Sequence, residues 1–267
     1  MHRRLRGVGT WVGGGVVLVL ALTMLAPFLY MVASSLEGEG GVSTYVAVLT
    51  ALPFGRFYVN AVIFVGLVVV GQVLTSAAAA YAFARLRFPG RDRVFLACLS
   101  VVMIPAVVLV IPRFLIIDAL GWVDSYQGLI VTEIVSVWGI FLLRQFFLTL
   151  PRDLEDAARL DGAGEWTIFW RVVLPLSKPA LATVAVFAFV DQWRNFLWPL
   201  VATRSVGMTV VEVGLARLHG LPGTTWPEQM AVAVTAIIPL AIVCFVAQKY
   251  WAPCRASVRL GETSAPS

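Results

Sequence analysis

Pro151-Arg152-Asp153-Leu154-Glu155-Asp156-Ala157-Ala158-Arg159-Leu160-Asp161-Gly162 is a charged island in an otherwise apolar chain. Upstream, Ser125 to Leu143 carries a single charged residue, Glu133; downstream, Pro179 to Thr203 carries two, Asp191 and Arg194. The island has the grammar of a short helix. Pro151 suits a first turn, and Asp153, Glu155 and Asp156 suit the positive N-terminal end. Gly162 suits the position just past the helix end. The spacing predicts about three turns, with Leu154, Ala157 and Ala158 on one face. A second helix is predicted from near Gly164 to before Pro175, with Trp166, Phe169, Trp170 and Val173 as its apolar face.

Working outward, the rest of the chain reads as lipid-facing. Of 267 residues, 60% are hydrophobic and 13% are charged. A soluble domain carries about a quarter charged residues. A bilayer-crossing helix needs about 20 predominantly apolar residues. Runs of that kind lie at about 12–33, 61–84, 94–112, 125–143, 179–203 and 229–248. The expectation is an all-α polytopic membrane protein with six transmembrane helices. The polar segment 144–178 lies between the fourth and the fifth. The whole of 1–267 reads as one transmembrane domain. The first run is longer than the apolar stretch of a signal peptide and reads as an anchored helix. Pro105 and Pro112 are expected to kink the third span.

Fifteen of the twenty Lys and Arg residues fall in segments that share one side of this arrangement. They include Arg3, Arg4 and Arg6, Arg85 to Arg93, Arg144 to Lys178, and Lys249, Arg255 and Arg259. The bias places both termini and the 144–178 loop in the cytoplasm. The net charge of +5 is therefore topological, and nucleic acid is not expected as a partner. Cys98, Cys244 and Cys254 have neither disulfide-framework nor zinc spacing, and His2 and His219 stand far apart, so no metal site is expected.

The island resembles the coupling loop of binding-protein-dependent importer permeases, the EAA loop. Its pattern is Glu-Ala-Ala, three residues, Gly, nine residues, Ile-x-Leu-Pro. Here Asp156-Ala157-Ala158 is followed at that spacing by Gly162 and then Val172-Val173-Leu174-Pro175, with Asp for Glu and Val for Ile. Further stretches resemble the maltose-type (MalG-like) sugar permeases: AAYAFARLRFP at 79–89, MIPAVVLVIP at 103–112, FLLRQFFLTL at 141–150, AARLDGA at 157–163, LPLSKPAL at 174–181 and WRNFLWPL at 193–200. The resemblance implies a bacterial cytoplasmic-membrane permease subunit of an ATP-driven sugar importer, forming half of the pore. It also implies a second homologous permease, a MalK-like ATPase dimer that binds the ATP and Mg, and an extracytoplasmic sugar-binding protein. The chain itself is expected to be non-catalytic, since it contains no GxxxxGK[ST] phosphate loop.

The ATPase-coupling candidates are Glu155, Asp156, Ala157, Ala158, Asp161 and Gly162. The competing reading of this loop is a partnerless interfacial helix. Ionisable residues within spans usually face a bundle interior or a water-filled cavity. Glu133 either lines the translocation path or sits near the outer interface or against a charge on a partner subunit. Asp191 and Arg194, three apart, can neutralise each other; with Trp193 and Asn195 they are the remaining path candidates. Related permeases usually carry Asn-Asp after this Trp, where this chain has Arg194-Asn195. A rival reading is a self-sufficient secondary transporter using Glu133 as its ion-coupling carboxylate. Maltodextrins, trehalose, other disaccharides and glycerol phosphates are all compatible substrates.

Overall fold

The computed structural model describes residues 2–37 and 41–251. Cys254, Arg255, Arg259 and the rest of the polar tail lie outside the described residues. Every regular element among the described residues is helical. Three helices are long and apolar enough to cross a membrane: Gly14–Ser35, Phe54–Arg85 and Trp226–Gln248. Three further helix pairs pass the same test together but are bent: Arg91–Met103 with Ala106–Ala119 by 97°, Tyr126–Glu133 with Val137–Thr149 by 41°, and Glu165–Leu176 with Lys178–Trp193 by 79°.

The described residues cluster into two compact units. One comprises the chain up to Phe54 together with Gly214–Ile238. Its Gly14–Ser35 segment exposes Val16 to Leu20 and most of the apolar residues that follow, a surface that only lipid or another apolar protein face covers at low cost. Ser35 is buried and hydrogen-bonds the Tyr45 hydroxyl at 2.6 Å, tying this helix to Val42–Ala51.

The second unit, Gly55–Val213 with Pro239 onward, holds the main core. Small side chains let its helices approach closely, as lipid-immersed helices require in the absence of a hydrophobic drive between them. Ala77, Ala80 and Ala84 on Phe54–Arg85 pack with Leu143, Phe147, Ile168, Phe169 and Val184. At Gly139 an added Cβ would lie 2.6 Å from the Ser76 hydroxyl, so the contact tolerates glycine alone without rearrangement.

The bends depart from the expected straight spans, and each has a local cause. The third span breaks at Ile104-Pro105, where the pyrrolidine ring cannot continue the ladder. Pro112 makes no break of its own. It occupies the first turn of Val110–Ala119, where its missing N–H is not needed. The fourth breaks at Ile134 to Ser136 and continues to Thr149, beyond the expected end. Its freed carbonyls are met by side chains of Phe54–Arg85. Gln72 donates to the Glu133 carbonyl at 2.7 Å, Thr75 to that of Ile134 at 2.7 Å, and Ser76 to that of Ser136 at 3.2 Å. In lipid such internal satisfaction is obligatory. The fifth helix ends at Trp193, and a separate short helix, Leu197–Ala202, fills the remainder of the expected span.

The loop helices also differ from expectation. The first is Asp153–Leu160, about two turns, with Arg152 and not Pro151 at its start. The second continues through Pro175 to Leu176, because Phe169–Val173 forms a wider π turn ahead of the proline. Its expected apolar face is split. Phe169 and Val173 are buried, while Trp166 and Trp170 are exposed.

Candidate functional site

Two regions of the second unit gather polar chemistry. The first is a cleft of about 710 Å³ where the broken ends of three helices converge. Arg113, in the Ala106–Ala119 segment, forms an ion pair with Glu133 and also donates to the Thr132 hydroxyl at 3.1 Å. Its guanidinium lies 4.1 Å from the Trp198 ring centroid, a cation–π geometry. Trp198 is buried and its indole N–H donates to the Leu129 carbonyl at 3.2 Å, so the ring is a fixed wall. The other Glu133 oxygen accepts from the Gln192 side-chain amide at 3.2 Å, and the Asn195 side-chain NH2 donates to the Gln192 side-chain oxygen Oε1 at 3.2 Å. Asn195 in turn accepts from the Trp198 backbone N–H at 3.3 Å, which starts the Leu197–Ala202 helix after the break. The result is a linked series Arg113–Glu133–Gln192–Asn195 in a cleft also lined by Phe187, Val107 and Val110.

This geometry sorts the path candidates. Glu133 pairs within its own chain, with Arg113, and its other oxygen accepts from Gln192, so both oxygens are committed, which disfavours a free ion-coupling carboxylate. Asp191 and Arg194 both line the cleft; they make no contact ion pair, but the Arg194 charge acts on Asp191 through space. Trp193 does not line this cleft. It is buried, with its ring stacked on Phe189 at 5.5 Å. Sequence reasoning missed Arg113 and Gln192. The one available signal was a lone arginine beside one apolar run and a lone glutamate within the next.

The second region is the loop. Asp153–Leu160 ends in a Schellman cap. Gly162 N–H donates to the Arg159 carbonyl at 3.0 Å and Ala163 N–H to that of Ala158 at 2.9 Å. Gly162 has φ +83°, the left-handed region in which L side chains are strained. Leu154, Ala157, Leu160, Asp156, Asp161 and Gly162 face outward, Leu160 at 90% exposure. Ala158 is half-buried against the core, so the two alanines do not share one contact face.

Glu155 is also turned inward. It is 3% exposed and pairs with the buried Arg85 at 2.7 Å. Arg159 binds Asp156 at 2.7 Å and Glu165 at 2.9 Å, while Glu165 accepts from the Tyr81 hydroxyl at 2.6 Å. The hydrogen bonds that Arg159 donates to Glu165 and Asp156 outweigh desolvation and raise its pKa further.

Outside these two regions, one carboxylate clasps a neighbouring loop. Asp124, at φ 61°, accepts from the backbone N–H groups of Arg204 at 2.9 Å and Ser205 at 3.0 Å. Burial alone would raise its carboxyl pKa; the two amides outweigh burial and hold it below the ordinary aspartate range.

Residues 72–253 match the family described as binding-protein-dependent transport system inner membrane component. Among curated proteins, the chain is 36% identical over 201 residues to the sn-glycerol-3-phosphate transport system permease protein UgpE of Yersinia pestis, covering 74% of this chain and 72% of that one. It is 39% identical over 184 residues to the arabinooligosaccharides transport system permease protein AraQ of Halalkalibacterium halodurans, covering 69% and 66%. Among solved structures, it matches a chain from the crystal structure of a bacterial ABC transporter involved in the import of the acidic polysaccharide alginate. The TM-score is 0.80 at 28% identity, covering 92% of this chain and 96% of that one. A family match over most of the chain, with permease relatives above 30% identity, fixes the assignment: this chain belongs to the inner-membrane permease components of binding-protein-dependent ABC importers.

Proposed function

We propose that this permease serves a carbohydrate or carbohydrate-phosphate importer, forms half of its pore, and receives its driving force through the Asp153–Leu160 helix. The outward face of that helix carries the reading. It offers two apolar residues, one alanine and two acids, ended by a glycine that leaves the exit narrow. Such a face fits a groove in a separate ATPase, whose rim cations would meet Asp156 and Asp161. ATP and Mg belong to that partner, and no catalytic step falls to this chain. The sugar class is supported by the substrates named for its relatives UgpE and AraQ.

Six spans follow if each bent pair crosses the bilayer once, and the arginine distribution supports cytoplasmic termini. The full assembly on this reading adds a sister permease, an ATPase dimer and an extracytoplasmic binding protein. Alternating access would carry substrate past the Arg113–Glu133–Gln192 wall. The experiment is an affinity pull-down of the tagged chain from its native membrane with mass identification. An ATPase, a second permease and a sugar-binding protein in the eluate are expected. A chain that purifies alone would overturn the coupling reading.

A further inference from the structure

Glu155 sits in the loop helix yet faces away from any docking partner, which raises the question of what its charge does. Its carboxylate meets Arg85 at 2.7 Å, with side chains 4% and 2% exposed. Arg85 closes the Phe54–Arg85 helix and also donates to the Leu150 carbonyl at 2.8 Å, where the Val137–Thr149 helix hands over to the loop. One turn back on the same helix, Tyr81 donates to Glu165 at 2.6 Å, and its ring packs on Phe169 at 5.2 Å. The two flanks of the Gly162 turn are therefore tied, through Glu155 and Glu165, to one face of one membrane helix. Arg159 bridges both acids from outside, 3.6 Å from Glu155 and 2.9 Å from Glu165.

As a source of stability this is a poor arrangement. The desolvation of a buried ion pair offsets most of its Coulomb gain, and an apolar pair of similar size is often as stable. The facing Arg85 Nε and Glu155 Oε1 atoms approach off the hydrogen-bond line, so even their bonding capacity is not fully used. What a buried charge pair does supply is a fixed register, because any slip leaves an uncompensated charge in a dry site.

We propose that Arg85 and Glu155, with Tyr81–Glu165 beside them, are positioning residues. They lock the coupling helix to the inner end of Phe54–Arg85, so that displacement by the ATPase enters the bundle through that helix. Gln72 and Thr75, higher on the same helix, hold the break next to Glu133, so the locked helix runs from the loop to the cleft. The proposal rests on the coupling reading above.

The test uses the complex purified from its native membrane into nanodiscs. The probe is a maleimide reacting with Val107→Cys, on the exposed cleft wall, in a chain whose Cys98, Cys244 and Cys254 are replaced by serine. With the native pair, ATP plus vanadate should change the labelling rate. Arg85→Gln or Glu155→Gln should shrink that change about two- to thirtyfold while the ATPase stays bound and hydrolyses ATP. The exchanged pair Arg85→Glu/Glu155→Arg should restore part of it, which a purely structural loss would not predict. A native-sized response in both single variants overturns the proposal. Should the single variants fail to accumulate, the exchanged pair decides: accumulation with a nucleotide response supports the lock, and accumulation without one overturns it. A native chain that carries no ATPase through purification shows a different failure, that of the coupling reading itself.

Discussion

The 144–178 loop and the cleft are both built from a handful of charged residues, yet they are specified in opposite ways. The loop's outward face, cap and exit turn come from twelve consecutive residues, Pro151 to Gly162. The cleft draws on Gln72, Arg113, Glu133, Gln192 and Trp198, which meet only because three helices break where they do. A site of the first kind should respond to single local changes in an all-or-none way. One of the second kind should lose stability by degrees and recover when its charges are removed in pairs.

The largest effect should come from the loop. Gly162→Leu forces a side chain into φ +83° and adds bulk at the exit of the helix's outward face, the proposed docking surface. Strain of that kind costs about 1–3 kcal/mol locally, and docking is lost with the cap. Capture of the ATPase in a pull-down should fall to background, while the amount of chain in the membrane stays unchanged. Gly162→Asn should retain capture, since asparagine tolerates the left-handed region. Normal capture by the leucine variant would remove Gly162 from the coupling role.

That contrast also explains how much could be read from the sequence. The cap at Gly162 was legible because capping chemistry is local: an acid-rich first turn, a glycine at the end, and a fixed count between them. The inward turn of Glu155 was not legible. Periodicity says which residues share a face but not which face another helix will claim, and Arg85 lies seventy residues away. The apolar runs gave the spans their approximate places, because lipid demands length and apolarity of any crossing helix. Their breaks were harder. Pro105 signalled one, but the break at Ile134 to Ser136 has no proline and exists because Gln72, Thr75 and Ser76 satisfy its carbonyls from another helix. The burial of Trp193 was hidden for the same reason. An aromatic beside two charges looks like a binding residue until its neighbour Phe189 is seen to stack on it.

Within the cleft, Arg113→Ala should leave Glu133 with only its Gln192 partner. The pair is partly reached by water, at 24% and 14% exposure, so the loss should be about 1–3 kcal/mol, below that of a fully buried pair. Thermal unfolding of the detergent-purified complex would read it as a lowered Tm. Arg113→Leu with Glu133→Leu should recover most of that Tm while still impairing uptake. If the double variant unfolds as early as the single one, the pair is not the source of the loss. If uptake is untouched, the cleft wall is not on the path.

The smallest effect belongs to Asp124, where the two kinds of site meet: a single side chain, but one that clasps backbone eighty residues away. Its pKa is depressed in the folded protein, so the folded state binds its proton less readily than the unfolded chain does. The stabilisation is therefore fully present above the ordinary aspartate value, about 3.9. It is lost as pH falls from there through the lower folded value. Asp124→Asn keeps the size and one acceptor oxygen but has no charge to lose. At pH 7 the variant should be less stable than the native chain by under about 1 kcal/mol, since the site is open to water and screening ions. Below the folded pKa the two should converge. Unfolding curves that stay equally far apart from pH 7 down to pH 3 would mean that the clasp acts through shape alone, and that the carboxylate charge contributes nothing to holding the two loops together.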